Sequence, residues 1–109
     1  MPKVPDSTRS SLQQKLSARA RERWPQLTAV QVTFRTHFAY VTATLDGETF
    51  ALCRLRYGGS ASLWGFAIYR ASHEDYQPSM LPNGLAAGSP EVALDTACGL
   101  YLGDPTAWI

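Results

Sequence analysis

The stretch RLRYGGSASLWGFAIYR, residues 54–70, places arginines and aromatic residues on both sides of a Gly-Gly-Ser turn. Successive side chains of a strand point to opposite faces, so Arg54 and Arg56 share one face of the first strand. Tyr69 from the next strand and Arg35 from an earlier one complete a candidate binding face. Single-stranded nucleic acids are held in this way, with bases on rings and phosphates on cations. The prediction for the stretch is nevertheless primarily a structural hairpin, with Trp64, Phe66 and Ile68 packed under the helices and any binding left to the arginines of the open face.

A second group of chemically capable residues is His73-Glu74-Asp75, an imidazole beside two carboxylates. One hypothesis places this group at the mouth of a small-ligand or catalytic pocket under the long loop that contains it. Adjacent residues point in different directions, however, and this spacing is not that of a metal site. Cys53 and Cys98 lie in apolar-periodic segments, where buried, inert thiols are expected. The sequence therefore identifies no catalytic, cofactor-binding or metal-ligating residue.

The last four residues, Thr106-Ala107-Trp108-Ile109, contain two large apolar side chains. Trp108 and Ile109 either dock on the domain's own core or contact a partner. With no catalytic constellation in view, the leading hypothesis is a non-catalytic protein-binding or adaptor module, self-associating or binding another protein. Nucleic-acid binding through the open sheet face and a basic first helix is the alternative, and the pocket under the loop is the third hypothesis.

Composition and charge restrict these classes. The chain has 109 residues, of which 45% are hydrophobic and 11% aromatic, which predicts a single folded domain over residues 1–109. All lysines and arginines lie in residues 1–70, which carry +6, whereas the remainder carries −5. Either a basic binding face or two mutually attracting halves follows from this asymmetry. A polar start and the lack of a long apolar run predict a cytoplasmic protein that does not enter membranes.

The elements that position these residues begin with a predicted loose arm over residues 1–9. A capping box at Ser10 or Ser11 predicts a helix that ends about Trp24, because Pro25 disfavours helical geometry before it. Its apolar residues recur every four positions: Leu12, Leu16, Ala20 and Trp24.

Period-two alternation then predicts four strands at about residues 30–35, 38–45, 48–57 and 63–70, although the first two read equally as one bent strand. An irregular loop follows at residues 71–88, and Ser89-Pro90 starts a second helix that Gly103 ends. The predicted fold is α+β, a two-layer sandwich in which a four-stranded antiparallel meander carries two helices on one face (α-β-β-β-β-α).

The segments RLRYGGSASLWGFAIYRASHEDY, SMLPNGL and CGLYLGDPTAWI resemble a group of small uncharacterised actinobacterial proteins. The resemblance covers roughly residues 30–109, the predicted sheet and second helix. It implies a bacterial cytoplasmic setting. Because no activity is attached to that group, the resemblance transfers no catalytic residue and no cofactor.

Overall fold

The computed structural model describes residues 4–70, 74–82 and 84–102. Within these ranges the elements follow one another as α1 Asp6–Arg23, β1 Ala29–Arg35, β2 Phe38–Leu45, β3 Glu48–Ser60, β4 Leu63–Arg70, β5 Asp75–Pro78, β6 Ala87–Gly88 and α2 Pro90–Leu102. The strands form one antiparallel sheet in the order β1-β2-β3-β4-β5, with β6 also paired to β4. Neither described helix combines the length and apolarity needed to cross a membrane.

Helix α1 starts four residues earlier than predicted, so residues 6–9 belong to the helix and not to a loose arm. Pro5 is the N-cap residue, and its carbonyl accepts the first helical hydrogen bond from the Arg9 amide at 2.9 Å. Proline's fixed φ suits the start of a helix, and buried Val4 anchors the chain before it. The predicted capping box at Ser10 or Ser11 is therefore wrong, because both serines lie inside the helix. The predicted end is confirmed, with Trp24 as the C-cap.

Strands β1 to β4 form the predicted meander of hairpins. Asp46 and Gly47 both have positive φ, which matches the twist of a two-residue hairpin turn between β2 and β3. β1 and β2 are separate strands, because the chain reverses at Thr36 with φ of +52°. The β3–β4 turn is shorter than predicted. β3 continues irregularly through the glycines to Ser60, and only residues 61–62 form the turn.

The predicted loop 71–88 contains two short strands, which is the main correction to the predicted topology. β5 and β6 both pair with β4, along the edge that β3 does not occupy. Between them the chain leaves the sheet at Ser79 and returns at Ala86. Both contacts are to Phe66, whose carbonyl accepts from the Ser79 amide and whose amide donates to the Ala86 carbonyl, each at 3.0 Å.

The core lies between one face of this sheet and both helices, which gives the two-layer sandwich. Trp64 and Phe66 of β4 are buried on that face, as predicted, and Ile68 is partly buried beside them. Helix α1 contributes the four-residue stripe, extended backwards by Thr8. Helix α2 buries Ala93, Leu94, Ala97 and Cys98 against the core, whereas Leu100 is half exposed. The side of the sheet away from the helices is called the open face below.

Candidate binding surface on the open face

The strand β3 divides its side chains between the two sides of the sheet. Cys53 and Leu55 are buried toward the helices, so Arg54 and Arg56 project from the open face. Leu52 is also buried, because the register between β2 and β3 shifts at this point and adds one residue to β3. The local alternation is thus sufficient to place both arginines away from the core.

The strand register arranges side chains in rows across the open face. In one row Arg35 on β1 lies opposite Phe38 on β2, which lies opposite Arg56 on β3, which in turn faces Gly65 on β4. The neighbouring row has the same succession of an aromatic ring, an arginine and a small residue: Tyr40, Arg54 and Ala67. Each arginine therefore has a ring directly opposite it on β2 and a glycine or alanine directly opposite it on β4.

Two aromatic rings contact Arg54, and two further rings pack against one of these. Its guanidinium carbon lies 4.4 Å from the centre of the Phe38 ring and 5.6 Å from that of Tyr76. The Tyr76 ring in turn meets Tyr40 at 5.4 Å and Tyr69 at 5.1 Å, both in edge-on geometry. Edge-on ring pairs and cations over rings are each favourable by about 0.5–1.5 kcal/mol. The cluster holds the Arg54 side chain in place at the centre of the sheet.

A groove of about 620 Å³ opens beside this cluster. Gly65 and Ala67 form its floor, Phe38 stands on one side, and Pro78 and Ala86 stand on the other. Its cationic side chains are Arg54 and Arg56, and none of the described residues that line it is acidic. The groove thus combines a shallow apolar surface with positive charge at one wall.

All four residues of the predicted binding face, Arg35, Arg54, Arg56 and Tyr69, share the open face. Arg35 and Arg56 lie in the Phe38 row, and Arg54 lies in the Tyr40 row. Tyr69 lies two residues beyond Ala67 on β4, opposite Tyr76 on β5. The open face therefore brings together residues from five strands, although their assignment to binding stays a prediction.

Sequence reasoning missed Phe38, Tyr40 and Tyr76 as members of this surface. For the first two the signal was present, because alternation in residues 38–45 puts both rings opposite buried Ala39 and Val41. For Tyr76 no local pattern was available, since it lies in a four-residue strand inside the predicted loop. Its position depends on pairing with β4, which is not a local property.

Two basic residues of α1, Arg19 and Arg23, are engaged inside the molecule. Arg19 donates from two nitrogens to the carboxylate of Asp95 on α2, the shorter bond being 2.7 Å, and Arg23 donates to the same carboxylate at 2.9 Å. Trp24 donates its indole N–H to the other oxygen at 2.9 Å. The hydrogen bond to Asp95 raises the pKa of Arg19. These arginines hold the two helices together and do not extend the open face.

The remaining candidate residues are only partly within the described chain. His73, Trp108 and Ile109 lie outside the described residues. Glu74 is exposed, and the Asp75 carboxylate accepts two hydrogen bonds from the guanidinium of Arg70, at 2.9 and 3.0 Å. The two acids predicted at a pocket mouth are thus at the start of β5, where one of them pairs across to β4.

The two thiols are buried in the core. Burial raises the pKa of Cys53 far above its usual range and that of Cys98 to about 12. A thiol acts as a nucleophile only as the thiolate, so both side chains are inert near neutral pH. Among the described residues, no three His, Cys, Asp or Glu side chains gather as metal ligands.

Comparison of the chain with family models, with curated proteins and with solved structures finds no match. The resemblance to small actinobacterial proteins stays a prediction. A function has to be inferred from the side chains of the open face.

Proposed function

We propose that this protein is a non-catalytic binding module that holds single-stranded nucleic acid on the open face of its sheet. The observation that carries the proposal is the composition of that face. Its charged strand residues are the arginines Arg35, Arg54 and Arg56, and its aromatic residues are Phe38, Tyr40, Tyr69 and Tyr76. A base stacked on such a ring contributes about 1–3 kcal/mol, and arginine neutralises the adjoining phosphate.

The same geometry favours a single strand over a duplex. A base has to be unstacked before its flat side reaches a ring, which a flexible strand permits without breaking base pairs. Duplex readers insert a helix or a narrow ribbon into a groove, and the basic helix α1 is packed against α2 through Asp95. The open face, in contrast, is a broad sheet surface.

Salt dependence tests this proposal. Fluorescence anisotropy with labelled single-stranded and duplex oligonucleotides between about 50 and 200 mM salt measures how affinity falls as phosphate contacts are screened. We expect the double variant Arg54→Ala, Arg56→Ala to bind more weakly. The slope of log affinity against log salt concentration should become shallower by about 0.7 for each phosphate contact removed. Arg21→Ala is the matched control, because this arginine is exposed on α1. Absence of single-strand binding at low salt contradicts the proposal.

A protein partner, or a second copy of the chain, is the other candidate. It is favoured by two exposed apolar residues in the segment that interrupts the edge of the sheet, Met80 at 68% exposure and Leu85 at 58%. The sequence prediction of this function rests on residues 106–109, which lie outside the described residues. Light scattering across a concentration range, on the full chain and after deletion of residues 106–109, tests it. A strict monomer in both cases leaves self-association without support.

A further inference from the structure

The open-face groove exists because β4 carries almost no side chain where β3 carries its arginines. Gly65 faces Arg56 and Ala67 faces Arg54. Residues directly opposite in an antiparallel pair have Cβ atoms about 4.5–5.5 Å apart, so two ordinary side chains would fill the space between them. Among the described residues, only atoms of Arg56 lie within 4 Å of a Cβ placed on Gly65, the nearest at 3.4 Å. The floor is therefore empty because of residue choice and not because of crowding.

The wall opposite Phe38 is attached to the same strand. The chain leaves β5 after Pro78 and returns at Ala86, and the two hydrogen bonds to Phe66 described above hold both points to the β4 backbone. Leu81, within the excursion, is buried in the core and fixes it further. The groove thus has a defined width, set by backbone pairing on one side and by the Phe38 ring on the other.

We propose that this groove is a pocket for one unstacked nucleotide of the bound strand, an inference that rests on the proposed function. Pockets of about 300–1,000 Å³ hold small organic ligands, and the groove has about 620 Å³. The glycine and alanine floor lets a flat base approach the sheet. Arg54 and Arg56 supply positive charge beside it for the phosphate, and the lining residues within the described part of the chain include no acid to oppose that charge.

Filling the groove without changing its charge tests the inference. Gly65→Leu occupies the floor, and Ala86→Leu occupies the wall from an exposed segment outside the central strands. We expect each to weaken binding of a single-stranded oligonucleotide by about tenfold, the contribution of one stacked base. The slope of log affinity against log salt concentration should become shallower by no more than about 0.7, the value of one phosphate contact, since both arginines remain. Gln31→Leu, on the open face of β1 away from the groove, is the control and should bind like the wild type.

The outcomes separate the pocket from the function of the whole face. If both filled variants bind like the wild type while the Arg54→Ala, Arg56→Ala variant does not, the pocket is wrong and the proposed function stands. If the wild type binds no single strand at low salt, both are wrong. Thermal unfolding by circular dichroism checks that each variant folds. Should Gly65→Leu fail to fold, Ala86→Leu alone decides.

A direct test of the pocket uses a single nucleotide in place of an oligonucleotide. Titration of the full chain with a 5′-mononucleotide, followed by amide NMR shifts, should perturb residues 65, 67 and 87 together. Inorganic phosphate and the unphosphorylated nucleoside serve as separate arms and should each bind more weakly. If an acidic aromatic peptide perturbs these amides and the nucleotide does not, the occupant is a protein segment and the nucleotide pocket is refuted.

Discussion

At the scale of single residues, the buried Asp95 connects three side chains of the first helix and its end. Its carboxylate is 3% exposed and accepts hydrogen bonds from Arg19, Arg23 and Trp24. Removing one member of a buried ion pair leaves its partners without a counter-charge and costs about 3–5 kcal/mol. We expect Asp95→Ala to fall near the lower end, because both guanidiniums reach solvent and regain water. Urea unfolding measures this change.

The matched control is Asp75→Ala, which removes an equally short ion pair with Arg70 at the surface. Exposed pairs contribute little to stability, so the free energy of unfolding in urea should fall far less than for Asp95→Ala. Equal losses from the two variants would mean that burial does not set the strength of the Asp95 network. The contrast also bears on function. A large loss for Asp95→Ala would show that Arg19 and Arg23 stabilise the fold, which argues against their contacting a nucleic acid.

At the scale of elements, the outer edge of β1 is covered by a side chain of α1. The amide of Gln13 donates to the Val30 carbonyl at 3.0 Å and accepts from the Val32 amide at 3.1 Å, as a neighbouring strand would. Unpaired strand edges recruit other chains. We expect Gln13→Ala to lower the free energy of unfolding by about 1–2 kcal/mol and to promote self-association, measured by urea unfolding and light scattering. Gln14→Ala, an exposed neighbour, should do neither, and identical behaviour of the two variants contradicts this role.

The elements also show which features are readable from sequence. The faces of β2, β3 and β4 follow from period-two alternation, which is local, and this alternation correctly placed Trp64 inside. The sequence does not predict β5, because this strand is four residues long, contains Pro78 and exists only through pairing with β4. The predicted binding face lacks Tyr76 for the same reason, because this residue lies on β5. Contacts of Arg54 with Phe38 and Tyr76 depend on the register of four strands, β2 to β5, which no single segment encodes.

At the scale of the whole molecule, the interior between the sheet and α2 holds both thiols. Cys53 on β3 and Cys98 on α2 are buried, and burial raises the pKa of each well above the value of about 8.5 for a thiol in an unfolded chain. Only the unfolded state therefore loses these protons between pH 8.5 and the higher native values. Since the native state then binds more protons, the free energy of unfolding falls as the pH rises through this window.

Stability at alkaline pH should accordingly decline because of the two thiols. Between pH 7.5 and 9.5 we expect each thiol to lower the free energy of unfolding by about 1.4 kcal/mol, the value of one pH unit above the unfolded pKa. Urea unfolding under reducing conditions measures it, with Cys53→Ala, Cys98→Ala as the comparison. That variant starts less stable because it loses two buried side chains, but its decline with pH should be shallower by the sum of both contributions. Parallel declines in the two proteins would show that the native core does not keep its thiols protonated, and that it opens to hydroxide without unfolding.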